Sequence, residues 1–430
     1  MLFGTSGIRG RFGREVTPDL VLLVSNAISA DRKRIIVGRD GRTTSYLLSR
    51  AAVSGVLSAG ADCIDCGLIP TPTLSYATKL YGDAGIMITA SHNPAEDNGM
   101  KAFQKSGMSF TPAQEQKIEA VAASKKYAYA SWDKQGQYSQ KDAVEKYISK
   151  VVRSVKLQSC LKVVVDPGNG PTSLVTPEIF KRLGCTVVVI NGEIDGTFPS
   201  RPSEPEEKNL SALKAAVRRE NADLGVAHDG DGDRHAVIDE NGAFVDQEKL
   251  LALVYKRYGG KVVTTVDGSM ILEQVAGKKN VIRTRVGDVA VAEGILKSKA
   301  NFGGESSSGC WIHPKVHLGP DGPLSAAVIA SIVSRKGALS ELISQMPETF
   351  VMRKKYAVRN KAKAMSGVGK RLNGRSPLTI DGYRIDKPEG WYLIRASGTQ
   401  NLIRISVEGR TRKDADNLLK EAEKLLQDAK

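Results

Sequence analysis

Short apolar, β-branched runs alternate along the 430-residue chain with longer stretches whose apolar positions recur at helical spacing. The run Arg34-Ile35-Ile36-Val37 predicts a strand, followed by the polar loop Gly38-Arg39-Asp40-Gly41-Arg42 and a helix through Leu57. Leu161-Lys162-Val163-Val164-Val165 repeats the theme, with Asp166-Pro167-Gly168-Asn169-Gly170 and a helix through Leu183 behind it. Lys261-Val262-Val263-Thr264-Thr265-Val266 repeats it again, ahead of Asp267-Gly268-Ser269 and another helix. Such self-similarity points to three copies of one supersecondary unit. The alternation itself points to α/β architecture with largely parallel sheets.

Each copy ends in a second strand that feeds a polar loop. Gly85-Ile86-Met87-Ile88 leads into Thr89-Ala90-Ser91-His92-Asn93-Pro94, and Leu224-Gly225-Val226-Ala227 into His228-Asp229-Gly230-Asp231-Gly232-Asp233-Arg234. Asn301-Phe302 leads into Gly303-Gly304-Glu305-Ser306-Ser307-Ser308-Gly309. Ligands gather at the carboxyl ends of strands in open α/β sheets, so the three loops are expected to converge on one cleft. From about Phe350 the pattern changes to strand-like runs, a fourth polar loop at Arg395-Ala396-Ser397-Gly398-Thr399 and a charged terminal helix from Asp414. The expected fold is therefore α/β: three similar mixed-sheet α/β domains plus a smaller C-terminal α+β domain around a central cleft. The expected spans are 1–148, 149–245, 246–346 and 347–430.

Composition narrows the function classes. With 41% hydrophobic and 25% charged residues the chain is ordinary globular material for two to four domains. No run approaches the roughly 20 apolar residues of a membrane helix, and Met1-Leu2-Phe3-Gly4-Thr5 enters a motif without a basic-then-apolar leader. A cytoplasmic protein with no membrane partner is expected. Five cysteines are an odd, sparse set that suits a reducing compartment. Cys63-Ile64-Asp65-Cys66 lies in an extended-looking run, where a redox pair would open a helix, and no second ligand pair supports zinc. A net charge of +15 attracts polyanions. The Lys and Arg residues are spread over the whole chain with few aromatics among them, so no nucleic-acid partner is expected, and small phosphate esters fit the charge as well.

Asp229, Asp231 and Asp233 alternate with glycines, a density of hard oxygen ligands suited to Mg²⁺ or Ca²⁺. An EF-hand is excluded because its required glycine falls at Arg234, and the preceding segment reads as a strand. Packed carboxylates repel unless a cation neutralises them, which disfavours a plain acidic turn. Ser91 follows an apolar strand directly. An isolated serine reads as a helix cap, but no Gly-x-Ser-x-Gly elbow exists for acyl chemistry, so a serine beside a metal loop suggests phosphoryl transfer. Arg395, Ser397, Gly398, Thr399 and Arg404 supply two guanidiniums, two hydroxyls and a glycine, the ingredients of an anion cradle. Glu305 and Ser307 suit sugar hydroxyls as acceptor and donor.

These four loops, in this order, resemble the α-D-phosphohexomutase family, which includes phosphoglucomutase/phosphomannomutase and phosphoglucosamine mutase. The resemblance spans essentially the whole chain, from Phe3-Gly4-Thr5-Ser6-Gly7-Ile8-Arg9-Gly10 to the Arg395 loop. It implies four domains around a cleft and an isomerase that moves a phosphoryl group between the 1- and 6-positions of a hexose. Ser91 is implied as the phosphoserine, with a phosphate oxygen completing a Mg²⁺ site on Asp229, Asp231 and Asp233. Arg9, His92, Lys101 and Arg234 match positions lining the transfer site, Glu305 and Ser307 the sugar loop, and Arg395, Ser397, Gly398, Thr399 and Arg404 the loop gripping the non-transferring phosphate. A hexose 1,6-bisphosphate serves as intermediate and activator, and homo-oligomers are left open.

The chain departs from the family pattern in two loops. Ser308 and Gly309 stand where the sugar loop usually has Gly and often His, which removes a proposed base; Lys101, His313 and His317 are open to two readings, as substitutes for it or as structural residues. Gln400 and Asn401 replace the usual Glu-Pro of the phosphate loop. The run Cys310-Trp311-Ile312-His313-Pro314 looks more like prokaryotic phosphoglucosamine mutases than the glucose or mannose enzymes, which favours glucosamine phosphate over mannose or glucose phosphate. The competing readings are a Mg²⁺-dependent sugar-phosphate phosphatase and a non-catalytic polyanion-binding protein. The first needs only one of the sugar loop and phosphate cradle, and the second leaves Ser91, the aspartates and both arginines without a purpose.

Overall fold

The computed structural model describes residues 2–4, 7–305, 308–372, 374–397 and 401–427. The chain divides into two compact bodies, one of Met1–Gln247 with Ser308–Ile343, the other of Glu248–Ser307 with Ser344–Lys430.

The first body opens with β1 (Ile8–Arg11), α1 (Pro18–Ser29), β2 (Arg34–Arg39), α2 (Ser45–Ser58), β3 (Asp62–Leu68), α3 (Thr71–Tyr81), β4 (Ala84–Ile88), β5 (Asp97–Gln104), α4 (Pro112–Ala123), β6 (Tyr138–Gln140) and α5 (Val144–Ser154). The sheet order is β1-β5-β4-β2-β3-β6. β2 pairs in parallel with β3 and β4, and β4 antiparallel with β5. Local chemistry sets the helix starts: Pro18 follows the N-cap Thr17, whose side chain accepts from the Leu20 N–H, and Thr111 with Gln114 forms a capping box ahead of α4. Ile35, Val37, Ile86 and Ile88 on the strands pack with Val24, Ile28, Leu48 and Val56 of α1 and α2. Ile36 and Met87 point the other way, toward Leu74 of α3, so the sheet is buried on both faces, as continuous apolar strands require. Cys63 and Cys66 lie on β3, and burial, then the charge of Asp65, pushes each thiol up to about 12.

The theme then recurs with β7 (Lys162–Asp166), α6 (Thr176–Arg182), β8 (Thr186–Val189), α7 (Ser211–Glu220), β9 (Leu224–His228) and β10 (His235–Asp239). Its order, β10-β9-β7-β8, reproduces β5-β4-β2-β3, with β7 parallel to β8 and β9, and β10 antiparallel to β9. The second body carries the third copy, α8 (Gln247–Tyr258), β11 (Val262–Thr265), α9 (Ile271–Ala276), β12 (Val281–Thr284), α10 (Asp288–Ser298) and β13 (Phe302–Glu305), where β11 is parallel to both β12 and β13. In all three copies the strand leading to a polar loop pairs with the central strand.

The chain returns to the first body as β14 (Cys310–Ile312), α11 (Gly322–Lys336) and α12 (Leu339–Ser344). It ends in the second body as β15 (Phe350–Ala357), α13 (Lys361–Arg371), β16 (Tyr383–Lys387), β17 (Gly390–Ala396), β18 (Leu402–Gly409) and α14 (Arg412–Gln427). The last four strands form an antiparallel sheet, β15-β18-β17-β16. One face of this sheet, with Tyr392, Ile394, Ile403, Ile405 and Val407, packs with Val368 of α13 and Leu418 and Leu426 of α14. Trp391 and Leu393 face Val266. Among the described residues, no helix is long and apolar enough to cross a membrane.

Asp321 ties the returning segment to the start of the chain. Fully buried, it caps α11 by accepting from the Leu324 N–H (2.9 Å), accepts from the Tyr147 hydroxyl (2.6 Å) and pairs with His317 Nε2 (2.9 Å). Burial alone raises its pKa, but the bonds from His317 and Tyr147 overcome this and hold the carboxyl below its ordinary value. Asp321→Ala is expected to lower stability by roughly 3 kcal/mol, because a cap is lost and two buried donors are orphaned. Urea denaturation reads that loss. In the native protein this contribution is complete above the unfolded carboxyl pKa and disappears as pH falls through the lower folded value.

Candidate functional site

Four carbonyls of the segment after β4 converge on one guanidinium. Arg42 is buried, and its Nε donates to Asp40 (3.2 Å). Its Nη1 donates to the carbonyls of Pro94 (2.5 Å) and Asp97 (2.9 Å), and its Nη2 to those of Ser91 (2.8 Å) and Asn93 (2.7 Å). The carbonyls that a sharp turn leaves without partners are thereby satisfied. Ser91 itself has φ +51°, a left-handed conformation that costs a non-glycine residue energy and concentrates at functional sites. Its N–H donates to Thr89 Oγ1 (2.8 Å), and its hydroxyl donates to Asp229 Oδ2 (2.7 Å).

Asp229, Asp231 and Asp233 come together as a buried group in which one oxygen of each lies within 4.8 Å of the others. Both intervening glycines are required. A Cβ at Gly230 would stand 2.5 Å from the Ser91 carbonyl oxygen, and Gly232 adopts φ +80° with a Cβ position 2.2 Å from the Thr172 methyl. Asp229 Oδ1 accepts from the N–H groups of Gly232 (3.0 Å) and Arg234 (3.1 Å), and Asp231 Oδ2 accepts from the Thr71 hydroxyl (2.6 Å). Burial, then the charges of Asp233 and Asp231, raises the Asp229 pKa well above its ordinary value. Oδ1 of Asp231 and Oδ1 of Asp233 are buried without a hydrogen-bond partner among the described residues. Unpartnered carboxylate oxygens in a mutually repelling group are what a hard dication requires, so the residues fit a metal ion.

The expected transfer-site residues gather around this pair of loops. Lys101 Nζ donates to Asp231 (2.7 Å) and Asp233 (2.5 Å). Burial opposes its charge, but the two carboxylates prevail and hold the ammonium above its ordinary pKa. His92 Nδ1 lies 3.4 Å from Ser91 Oγ, and burial, then the charges of Arg234, Arg9 and Lys101, pushes its pKa down to about 2, so the ring is neutral. Arg9 stands on β1, next to β5, in register with Gly99. Two of the candidate bases are structural. His313 is buried against Ser325 (2.9 Å), and His317 is occupied by Asp321 and Ser75. Gly309, in place of the family histidine, has φ +66°, and a Cβ there would stand 2.2 Å from the His235 carbonyl oxygen, so no side chain fits.

In the second body, Glu305 ends β13. Ser307, Gly398 and Thr399 lie outside the described residues, as do Thr5 and Ser6 of the first motif. Arg395 on β17 and Arg404 on β18 are direct cross-strand partners, and Lys355 on β15 is the next residue in the same row. Like charges placed directly opposite repel, and Arg404 Nε is buried without a partner among the described residues. Asp381 pairs with Arg395 at 3.1 Å. The Ser397 carbonyl accepts from Lys361 Nζ (2.8 Å). This row is suited to receive an anion.

Sequence reasoning missed Arg42, Thr71, Lys355 and Glu204, whose carboxylate accepts two 2.7 Å bonds from Arg234 Nη1. Arg42 had a usable signal, since it stands in the polar loop after a repeated strand. Lys355 shows itself only through strand register.

Comparison with known proteins follows this architecture segment by segment. Four descriptions match in order: "Phosphoglucomutase/phosphomannomutase, alpha/beta/alpha domain I" at 1–128, domain II at 145–242, domain III at 246–350 and the C-terminal domain at 351–425. A protein of Pyrococcus abyssi named "Probable phosphoglucosamine mutase" is 43% identical over 99% of this chain and 98% of its own. One of Methanothermobacter thermautotrophicus with the same name is also 43% identical, over 96% and 95%. Among solved structures, a phosphoglucomutase/phosphomannomutase family protein of Burkholderia thailandensis superposes with a TM-score of 0.90 at 26% identity, covering 100% of this chain and 97% of that one.

The aspartate group makes a direct prediction. Mg²⁺ at about a hundred times its dissociation constant should stabilise the protein by ~2.7 kcal/mol, read as a rise in Tm. Asp233→Asn should abolish most of that rise.

Proposed function

We propose, since the chain belongs to the phosphoglucomutase/phosphomannomutase family, that it interconverts hexose 1-phosphate and 6-phosphate by way of a phosphoserine at Ser91. The observation that carries the proposal is the Ser91 hydroxyl, held by a strained turn and hydrogen-bonded at 2.7 Å to Asp229 of the buried aspartate group. Asp229, Asp231 and Asp233 would hold Mg²⁺, which, when bound, neutralises charge on the phosphoryl oxygens. The four-domain division at 148, 245 and 346 belongs to this proposal, as does a cytoplasmic setting.

In the first transfer the bond between phosphorus and Ser91 Oγ breaks as a bond to a sugar hydroxyl oxygen forms. The hydroxyl proton departs and the Ser91 oxygen regains one. The product is a hexose 1,6-bisphosphate, and its other phosphate returns to Ser91 in the reverse sense. Arg9, Lys101 and Arg234 supply positive charge where the phosphoryl oxygens develop negative charge. Neutral His92, 3.4 Å from Ser91 Oγ, is able to accept a hydrogen bond there. The unmodified Ser91 side chain is fully buried, and exclusion of water from the site would protect a loaded phosphoserine. Glu305 and Ser307 would address sugar hydroxyls. Arg395, Ser397, Gly398, Thr399 and Arg404 would hold the phosphate that is not reacting, with Lys355 at the end of their row.

Glucosamine phosphate is the preferred substrate in this proposal. The run from Cys310 to Pro314 and the names of the relatives at 43% identity support that choice.

Incubation with glucosamine 1-phosphate, Mg²⁺ and a trace of hexose 1,6-bisphosphate should yield the 6-phosphate, and faster than mannose or glucose 1-phosphate does. Free phosphate as the sole product would overturn the mutase proposal. Ser91→Ala should lose turnover at unchanged Tm, so residual mutase activity in that variant removes Ser91 as the carrier. Arg395→Ala should raise KM about tenfold or more with a smaller change in kcat, as expected when a charged hydrogen bond to bound phosphate is lost. An unchanged KM contradicts the cradle assignment.

A further inference from the structure

We propose that Glu204 is a positioning residue: it fixes Arg234 at the transfer site and offsets its charge, so that a doubly phosphorylated sugar is held loosely enough to leave and return reversed. The inference rests on the mutase function proposed above.

The geometry is specific. Both Glu204 oxygens accept from Arg234 Nη1, each at 2.7 Å, and Glu204 Oε2 lies 3.5 Å from His92 Nδ1. Arg234 is rooted in the aspartate loop, its N–H donating to Asp229 Oδ1. Its Nε is buried without a partner among the described residues, so the guanidinium keeps donor capacity beyond what Glu204 takes. The side chains of His92, Glu204 and Arg234 are 31%, 24% and 19% exposed, whereas Ser91 is fully buried. These three are therefore among the accessible polar groups that an arriving anion meets, together with the partly exposed Arg9.

Glu204 is also delivered by a braced segment. Pro202 and Pro205 flank the Ser203-Glu204 pair and fix φ on either side. Arg201 donates through Nε to Asp166 (2.8 Å) and through Nη2 to the His228 carbonyl (2.7 Å), at the end of the strand feeding the aspartate loop. Ser203 Oγ donates to the Asn93 carbonyl (3.3 Å) in the Ser91 loop. The segment is thus pinned to both loops of the site, and it presents a carboxylate where phosphate chemistry alone would call for cations. An anion placed there weakens phosphate binding by Coulomb repulsion and by sharing Arg234. A mutase benefits from that weakening, because its bisphosphate must detach from one orientation before it binds in the other.

The test compares unphosphorylated wild type, Glu204→Gln and Glu204→Asp in Mg²⁺, with glucose 1,6-bisphosphate binding measured by calorimetry and turnover by steady-state kinetics. Glu204→Gln keeps the shape and removes the charge. It should bind the bisphosphate about tenfold tighter, as removal of one nearby like charge predicts, with kcat and KM both falling. Glu204→Asp should stay near wild type. Bisphosphate affinity of the Gln variant within about twofold of wild type, or weaker, overturns the proposal, and so does an Asp variant that behaves like Gln. If wild type binds bisphosphate but interconverts no hexose phosphate, the mutase function fails while the affinity comparison still decides the role of Glu204.

Discussion

The candidate site depends on one interaction, the buried Asp40–Arg42 pair whose guanidinium donates to four carbonyls of the Ser91 loop. A turn that forces a serine to φ +51° and buries it cannot satisfy its own carbonyls within a regular ladder. An arginine suits the task because its planar fork offers five donors and never loses its charge. The solution recurs in the other copies. Arg201, paired with Asp166, donates to the His228 carbonyl ahead of the aspartate loop. Arg283, paired with Glu273, donates to the carbonyls of Thr265, Gly268 and Ser269 in the second body. Each copy of the repeat therefore carries an acid-paired arginine that serves the carbonyls at the carboxyl end of its sheet.

Much of the fold was legible because each copy writes its elements locally. The runs ending at Val37, Val165 and Val266 mark the central strands, and the loops behind them break the pattern with glycine and aspartate. The extended character of the Cys63–Cys66 run was legible for the same reason. The grouping of Ser308–Ile343 with the first body was not. It depends on pairs far apart in sequence, such as Trp311 packing edge-on against His235 and Tyr147 bonding Asp321, and no local periodicity encodes such partners.

The candidate site was legible to a similar depth. Ser91, the three aspartates, His92 and Arg234 stand in short motifs, Lys101 was named through the family resemblance, and the structure brings them into one group. Arg42 and Glu204 belong to that group as well, but a lone arginine or glutamate in a loop reads as a solvated surface charge until its partners are known. The histidines named as substitute bases illustrate a related point. His313 and His317 follow the altered sugar loop in sequence, yet the turn before α11 needs their ring nitrogens as partners for Ser325, Ser75 and Asp321. Proximity in sequence suggested chemistry where packing had already claimed the side chains.

Each body holds a local group of like charges. In the first, Lys101 reaches two of the three aspartates, and buried oxygens of Asp231 and Asp233 remain without partners among the described residues. In the second, Lys355, Arg404 and Arg395 form a cationic row to which Asp381 contributes one carboxylate, paired with Arg395. Neither arrangement is one that folding alone would favour, since like charges held together raise the energy of the native state. A dication would relieve the first and an anion the second. Binding of such partners would recover the stability given up at these positions, which would link the affinity of each site to the strain that its own residues create.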